Sequence, residues 1–351
     1  MDFEMAFCCI NDQEDVDEQL IIRRRSKKIR LRMNWYAIYD DIDFQSRFRL
    51  SKEHFELLLN TIGCSLICRR QWNDAISPTT QLLIALRFYA TGSFLIIIGD
   101  FSGVSKNSAT KIVHRVSNAI AKLSKEFIKF PMQQDDIIQT QARNFKQAGF
   151  IRVLGAIDCI HIRIQSYGGE NAELFRNRKG FFSLNVQAIV NSKLQFMDIV
   201  ARWPGSSHDA TIFNNSVIKA RFESGEFGNG LLLGDSGYPN MPYLMTPLTN
   251  PNTPAEILYN EAQIRTRTMV ERAFGIWTRM FPALSKGTRF KTANKTMDII
   301  MACAVLYNII RMDIEDNVDI AAYNNLLVNY NEDFHQDERK FLIENYFEAC
   351  L

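Results

Sequence analysis

The sequence predicts an α/β protein in which an all-α region precedes a mixed sheet. Residues 51–130 carry apolar side chains at helical spacing between serines that can cap helices. From about residue 150 the apolar residues instead come in short runs separated by turns, as strands do. The chain has 351 residues, which is long for one ordinary domain and sufficient for two.

The helical region contains a possible DNA-binding motif. Ser51 and Ser77–Pro78 are predicted to begin helices, and a short helix ends near Phe101. A glycine-containing turn follows, and Ser105 caps the next helix, which is the order of a helix-turn-helix. The positions predicted to be exposed on this last helix are Lys106, Asn107, Ser108, Lys111, His114 and Arg115.

Recognition helices direct such residues towards DNA, so Lys106, Lys111 and Arg115 are candidate DNA-binding residues. A plain three-helix bundle with a polar face would give the same spacing.

The second half predicts a ribonuclease-H-like sheet. Three strand candidates come first, then a helix from Ser207 to about Phe222, two short strands and a long helix. The expected strands are 151–157, 182–190, 194–201, 231–233 and 243–247, and the long helix covers 255–280. A further, nearly all-apolar helix is expected at 295–311. Strand, strand, strand, helix, strand, strand, helix is the order of ribonuclease-H-like α/β folds.

Three acidic residues occupy matching places in this order. Asp158 and Asp235 each follow an apolar run, and Glu271 lies on the long helix. Carboxylates gathered at one sheet edge repel one another unless a cation lies among them. Hard oxygen ligands suit Mg²⁺ or Mn²⁺, and two such ions can promote phosphoryl displacement. We therefore expect a catalytic and metal-binding triad in which Asp158 bridges two ions.

Each acid also has a structural interpretation. Asp158 or Asp235 could stabilise a turn, and Glu271 could pair with Arg267 one helical turn away. Asp209 is a fourth candidate metal ligand, or else an acid favoured by its place at a helix start.

The residues beside the acids have weaker signals for catalysis. His161 is interpreted as a hydrogen-bonding or core histidine, and Cys159 as a strand-packing residue. His208, which flanks Asp209, has no second histidine or cysteine at a metal-ligand spacing.

Two groups of cations accompany these acids. The first precedes the second strand, and the second repeats every seven residues on the long helix, so that its members share one face. Either group could be solvated surface charge, or could contact a phosphodiester backbone. The candidate DNA-binding residues are Arg176, Arg178 and Lys179 in the first group and Arg265, Arg272 and Arg279 in the second.

Charge and cysteine usage limit the function classes. Residues 311–351 hold three basic and ten acidic residues, a balance of −7. Because the net charge of the whole chain is +2, residues 1–310 carry +9. Seven scattered cysteines without zinc-finger spacing predict reduced thiols. We find no signal peptide and expect no membrane span.

The expected divisions are a tail over 1–47, a helical domain over 48–147, a nuclease domain over 148–312 and an acidic tail over 313–351. The first tail contains a dense basic segment, 23–32, with seven cations in ten positions. That segment fits a nuclear-import signal, a DNA-contacting arm or a solvated charge run.

Several motifs resemble those of the Harbinger transposase-derived nucleases, relatives of the PIF/Harbinger DDE transposases. They are Asp-Cys-Ile-His at 158–161, Asn-Arg-Lys-Gly-x-x-Ser-Leu-Asn at 177–185, Trp-Pro-Gly-Ser at 203–206, Leu-Leu-Gly-Asp-Ser at 232–236 and Met-Thr-Pro-Leu at 245–248. The resemblance covers roughly residues 50–312. It matches Asp158, Asp235 and Glu271 to the family's Asp-Asp-Glu triad and Asp209 to a further acid.

The resemblance also implies a nuclear and cytoplasmic location and a Myb/SANT-like protein partner. The expected function is a metal-dependent DNA endonuclease. The alternative is a non-catalytic DNA-binding adaptor derived from a transposase. A metal phosphatase acting on small molecules is a third class, which the basic helices and the missing Gly-rich phosphate loop disfavour. The sequence leaves homo-oligomerisation open.

Overall fold

A computed structural model describes residues 32–67, 75–290, 292–314, 318–328, 330 and 337–351. The basic segment lies outside the described residues except for Arg32, as do Cys8, Cys9 and Cys68. The other four cysteines, Cys64, Cys159, Cys303 and Cys350, are free thiols. No helix within the described part of the chain is both long and apolar enough to cross a bilayer.

Only helices precede the sheet in the described residues. They are α1 (Trp35–Ile38), α2 (Asp41–Phe48), α3 (Lys52–Leu66), α4 (Pro78–Thr91), α5 (Leu95–Phe101), α6 (Lys106–Ala121), α7 (Ser124–Phe127) and α8 (Gln134–Ala148). The predicted caps are confirmed, because the hydroxyls of Ser51, Ser77 and Ser105 each accept a hydrogen bond from the amide three residues later. The short helix, turn and capped helix predicted between residues 95 and 121 are α5 and α6.

A five-stranded mixed sheet confirms the predicted α/β class. Its strands are β1 (Val153–Arg163), β2 (Ser183–Val190), β3 (Phe196–Pro204), β4 (Leu231–Leu233) and β5 (Leu244–Met245). Their spatial order is β3-β2-β1-β4-β5. Strands β1, β2 and β3 are antiparallel neighbours, whereas β4 and β5 run parallel to β1. The parallel part therefore begins where β1 meets β4.

The helices after β3 differ from the prediction in one place. They are α9 (Asp209–Asn214), α10 (Val217–Glu223), α11 (Pro254–Met280), α12 (Pro282–Ser285), α13 (Ala293–Ile310), α14 (Ile320–Leu327) and α15 (Glu338–Phe341). The prediction of one helix capped by Ser207 is wrong, because the segment forms two helices. His208 precedes α9 without a side-chain cap, and the Ser216 hydroxyl caps α10 by accepting from the Lys219 amide.

The helical region and one face of the sheet share a hydrophobic core. Side chains of α4 and α6, such as Leu86 and Val113, belong to the same buried cluster as Val186 of β2 and Trp277 of α11. A second cluster on the opposite face joins Ile157 to residues of α9 and α10. The sheet is therefore covered on both faces, and α11 lies on the face that adjoins the helical region.

The segment predicted as an acidic tail packs into this core where it is described. Tyr323, Leu342, Tyr346 and Phe347 are buried in the large cluster. Residues 342–347 form a π-helical turn whose exposed positions include Glu344, so the charge lies outside while the apolar side chains face inward. An acidic composition at the end of the chain is thus compatible with an ordered segment.

Candidate active site

Asp158 lies within a strand rather than at its end. The prediction that β1 stops at Asp158 is wrong, because β1 continues to Arg163 through antiparallel pairing with β2. The parallel pairing with β4 does end early, at Ala156 opposite Leu233. Asp158 therefore lies two residues beyond the last residue of β1 that pairs with β4. Its side chain is only 18% exposed.

Asp235 holds the equivalent place on the neighbouring strand. It follows Leu233 by two residues, just as Asp158 follows Ala156. Adjacent strands lie about 4.8 Å apart, so this register brings the two carboxylates to the same edge of the sheet. Asp235 also stabilises the following turn, since its Oδ1 accepts a hydrogen bond from the Gly237 amide at 2.9 Å. The turn interpretation and the site interpretation of Asp235 are thus compatible.

Glu271 lies on α11 and is linked to this edge of the sheet by Arg267. Arg267 Nη2 lies 2.8 Å from Glu271 Oε1, and Arg267 Nη1 lies 3.2 Å from Asp158 Oδ2. The helical pairing of Arg267 with Glu271, which was the structural interpretation of Glu271, is present. The same guanidinium also links the helix acid to the strand acid.

The electrostatics of Asp158 reflect a crowded acidic site. The pKa of its carboxyl is raised to about 6, mainly by burial and also by nearby Asp235 and Asp209, while a hydrogen bond from the Cys159 amide and the charge of Arg267 oppose the rise. That hydrogen bond to Asp158 Oδ1 is 2.7 Å long. Negative charge at this edge exceeds what Arg267 alone neutralises, which is the condition under which carboxylates recruit a cation.

Asp209 lies nearer to the other face of the sheet. Successive strand residues point to opposite faces, so Cys159 points away from the side that Asp158 shares with α11. Asp209 is close to Cys159, and its Oδ1 accepts a hydrogen bond from the side-chain Nδ2 of Asn185 at 2.9 Å. Asp209 thus has a fixed protein partner and approaches Asp158 from across the sheet.

Cys159 behaves as the sequence predicted, as a packing residue. Its Sγ lies 3.4 Å from the Tyr238 hydroxyl, and burial raises the pKa of the thiol well above its usual value. Burial thus disfavours the thiolate form that a nucleophilic cysteine requires. His161 Nδ1 lies 3.0 Å from the Ser183 hydroxyl, consistent with the predicted hydrogen-bonding role.

The donor set fits a hard divalent cation, although its members are not fully assembled. Asp158, Asp235 and Glu271 supply carboxylate oxygens, the ligands that Mg²⁺ and Mn²⁺ prefer. Among the residues that the structure describes, no three potential ligand side chains lie close enough together to hold an ion. Glu271 and Asp158 are kept apart because Arg267 lies between them.

Three residues outside the predicted set of acids position the site. Gln263 of α11 donates to the carbonyls of Gly234 and Met245, at 2.7 and 3.3 Å, and so ties the helix to the ends of β4 and β5. Asn185 orients Asp209, and Arg267 orients Asp158. The i, i+4 spacing indicated the contact of Arg267 with Glu271, but long-range partners leave no local pattern in a sequence.

Two of the three cations before β2 contact other protein groups. Arg176 forms two hydrogen bonds with Glu173, at 2.7 and 3.0 Å, and packs over the Phe182 ring. Arg178 contacts the His208 ring, and Lys179 is exposed. Arg178 thereby links the loop before β2 to the start of α9, beside Asp209.

The arginines of α11 form an exposed stripe beside the site rather than within it. Arg265, Arg272 and Arg279 are all exposed. Helical geometry places their stripe about 100° around the helix from Glu271. Arg272 is close enough to Tyr307 of α13 to oppose the rise in the pKa of that tyrosine, which burial raises to about 12.

Most of the α6 residues that were predicted to be exposed are exposed. Lys106, Asn107, Lys111 and Arg115 are exposed, and Arg115 Nη1 donates to Gln81 Oε1 at 3.1 Å. The prediction that His114 is exposed is wrong, because its ring packs edge-on against Phe290, with centroids 4.4 Å apart. Burial lowers the pKa of His114 to about 4.

Comparisons with known proteins identify the family to which this chain belongs. Residues 157–308 match the family model described as DDE superfamily endonuclease. A protein named “Putative nuclease HARBI1” in Homo sapiens is 35% identical over 277 residues, covering 78% of each chain. Its Xenopus laevis counterpart is 28% identical over 84% of this chain and 85% of its own. The “Protein ALP1-like” of Arabidopsis thaliana is 24% identical over 79% of this chain and 72% of its own.

No solved structure matches this chain. The family model begins one residue before Asp158 and also includes Asp235 and Glu271. On the extent and identity of these matches, the chain belongs to the Harbinger transposase-derived nuclease family of DDE superfamily endonucleases.

Proposed function

We propose that this protein is a divalent-metal-dependent endonuclease that hydrolyses DNA phosphodiester bonds with Asp158, Asp235 and Glu271. One observation carries the proposal: Asp158 and Asp235 occupy the same register at the edge where β1 and β4 separate, and Glu271 is linked to Asp158 through Arg267. Membership of the DDE endonuclease family supports it.

The proposed fold of the catalytic part is ribonuclease-H-like. Three antiparallel strands followed by two strands parallel to the first support this assignment. So does the long helix α11, which carries the third acid across one face of the sheet.

The chemistry requires little of the protein beyond charge placement. Asp158, Asp235 and Glu271 would hold the divalent cations, which supply the Lewis acidity that activates a water and stabilises the departing 3′ oxygen. Hydrolysis would add a water oxygen to phosphorus, break the bond to the 3′ oxygen, and leave a 5′-phosphate and a 3′-hydroxyl that takes up the proton. Asn185 keeps Asp209 oriented at the opposite side of β1, where Asp209 can serve as an auxiliary acid.

The proposed DNA-binding surface combines α6 with the cations near the sheet. Lys106, Lys111 and Arg115 lie on an exposed face of α6, which follows α5 after a tight turn. The exposed arginines of α11 would extend this surface by contacting phosphates. A nuclear and cytoplasmic location and a Myb/SANT-like partner are further parts of the proposal, carried by family membership alone.

A non-catalytic DNA-binding adaptor is the second candidate. The observation that favours it is the double ion pair of Arg267, which already pairs with both Asp158 and Glu271. In an adaptor this arrangement would be permanent, whereas in an enzyme Arg267 must leave the acids.

One experiment separates these functions. Purified full-length protein is incubated with supercoiled and linear duplex DNA in the presence of Mn²⁺ or Mg²⁺, with and without a chelator. Nicking that the chelator abolishes supports the enzyme. DNA binding without nicking, including in the presence of a candidate Myb-like partner, supports the adaptor and refutes the nuclease proposal.

A further inference from the structure

Arg267 is the cation that holds the acidic site together in this structure. One nitrogen of its guanidinium lies 3.2 Å from Asp158 Oδ2, and another lies 2.8 Å from Glu271 Oε1. Its side chain is 16% exposed, so the pair with Asp158 is shielded from solvent, whereas Glu271 is 53% exposed. A single side chain thus bridges two acids from two different elements.

The planar fork of arginine explains why it can make both contacts. Its nitrogens project in fixed directions, so one guanidinium can donate to two carboxylates, whereas a lysine ammonium is a point charge on a flexible stem. The position on α11 supplies the geometry, because Arg267 precedes Glu271 by four residues and so lies on the same side of the helix.

The surrounding charges explain why a cation is needed here. Asp235 follows β4 in the register that Asp158 has on β1, so the two carboxylates lie at one edge of the sheet, and Arg267 is the cation that pairs with Asp158. Without Arg267 the site would bring like charges together in a partly buried place, which is unfavourable. The same carboxylate oxygens are those that a divalent cation would contact.

We propose that Arg267 is a positioning residue that serves as the internal counter-ion of the acid site, and that a divalent cation binds by displacing it from Asp158. This inference rests on the proposed function for the identity of the competing cation. Arg267 keeps Asp158 and Glu271 in place in the metal-free protein, at the cost of weakening metal binding. Its removal therefore has opposite effects on the metal-free protein and on metal affinity.

The test measures Mn²⁺ affinity and metal-free stability in three variants of the full-length protein. Arg267→Met removes the charge, and Arg267→Lys retains it but lacks the planar fork that spans the two acids. Arg221→Met is the matched control, because Arg221 is also a partly buried arginine in an ion pair, with Glu226, away from the acid site. Mn²⁺ affinity is measured by titration calorimetry, and the melting temperature is measured in chelator.

Arg267→Met is expected to bind Mn²⁺ about tenfold more tightly than the unchanged protein, equivalent to about 1.4 kcal/mol. Its metal-free melting temperature is expected to fall by about 2–4 °C. The Mn²⁺ affinity of Arg267→Lys should lie between those of Arg267→Met and the unchanged protein. Arg221→Met should lower the melting temperature while leaving the Mn²⁺ affinity unchanged.

Mn²⁺ affinity that is equal or weaker in both Arg267 variants would overturn the counter-ion role while leaving the proposed function intact. Absence of Mn²⁺ binding in every protein would refute the metal-dependent function as well. If Arg267→Met does not fold, Arg267→Lys decides the question, because loss of the bridge alone should tighten Mn²⁺ binding.

Discussion

Removal of the buried charge of Glu338 should weaken the packing of the C-terminal segment against the sheet. Glu338 of α15 pairs with Arg152, which directly precedes β1, and both side chains are fully buried. Burial lowers the pKa of Arg152 to about 10, so the arginine remains charged at pH 7. Its Nε and Nη1 atoms are buried without a hydrogen-bond partner among the described residues. Glu338 is therefore the acid that compensates this charge.

The substitution Glu338→Gln retains the size of the side chain and removes its charge. Because breaking a buried pair leaves an uncompensated ion, we expect the free energy of unfolding to fall by about 3–5 kcal/mol. That is a large share of the roughly 5–15 kcal/mol typical of folded proteins. Urea unfolding followed by circular dichroism measures the loss.

Glu344→Gln is the control for this prediction. It removes an acid from the same segment that pairs with Lys340 at 3.7 Å, with both side chains more than half exposed. An exposed pair of this kind is worth about 0–1 kcal/mol. Equal effects of the two substitutions would refute the argument that burial makes the Arg152 pair essential.

Three further predictions concern the site and the helical region. Converting Lys106, Lys111 and Arg115 to Ala should reduce the slope of log affinity for DNA against log salt by about 0.9 for each phosphate that these cations neutralise, and an unchanged slope would assign DNA binding elsewhere. Neutral His114 contributes stability that is fully present above its unfolded pKa of 6.5 and is lost as pH falls towards about 4. His114→Asn should therefore remove about 1–2 kcal/mol of the stability difference between pH 7 and pH 4, measured by urea unfolding at each pH. Asp209→Asn should reduce Mn²⁺-dependent nicking less than Asp235→Asn does, since Asp209 lies across the sheet from Glu271, and equal losses would place Asp209 within the essential set.

Local patterns predicted most of the secondary structure because their causes are local. The caps Ser51, Ser77 and Ser105 bond to amides three residues away, and both β2 and the apolar run of β4 are buried throughout. The length of β1 was underestimated because its later half pairs with β2 on one side only, so exposed His161 and Arg163 interrupt the apolar pattern.

The sequence indicated which elements carry or precede the three acids, but not which side chains contact them. The places of Asp158, Asp235 and Glu271 follow from the order of the elements, which the sequence encodes through hydrophobic periodicity. The contact between Arg267 and Asp158 joins residues that are 109 positions apart. Packing of His114 against Phe290 and of the acidic C-terminal segment into the core likewise depends on elements that are distant in sequence. Periodicity indicates which face is apolar but not what covers it.

The most direct test of the central claim is Mn²⁺-dependent nicking of supercoiled DNA by Asp235→Asn beside the unchanged protein. Asp235 is suited to this test because its exposed neighbours Ser236 and Gly237 leave room for an uncharged side chain of the same size. The measurement is made on protein that melts at the same temperature as the unchanged chain in chelator. We predict that nicking is lost while DNA binding is retained. Nicking by the folded variant at the unchanged rate would contradict the assignment of this sheet edge as the catalytic centre.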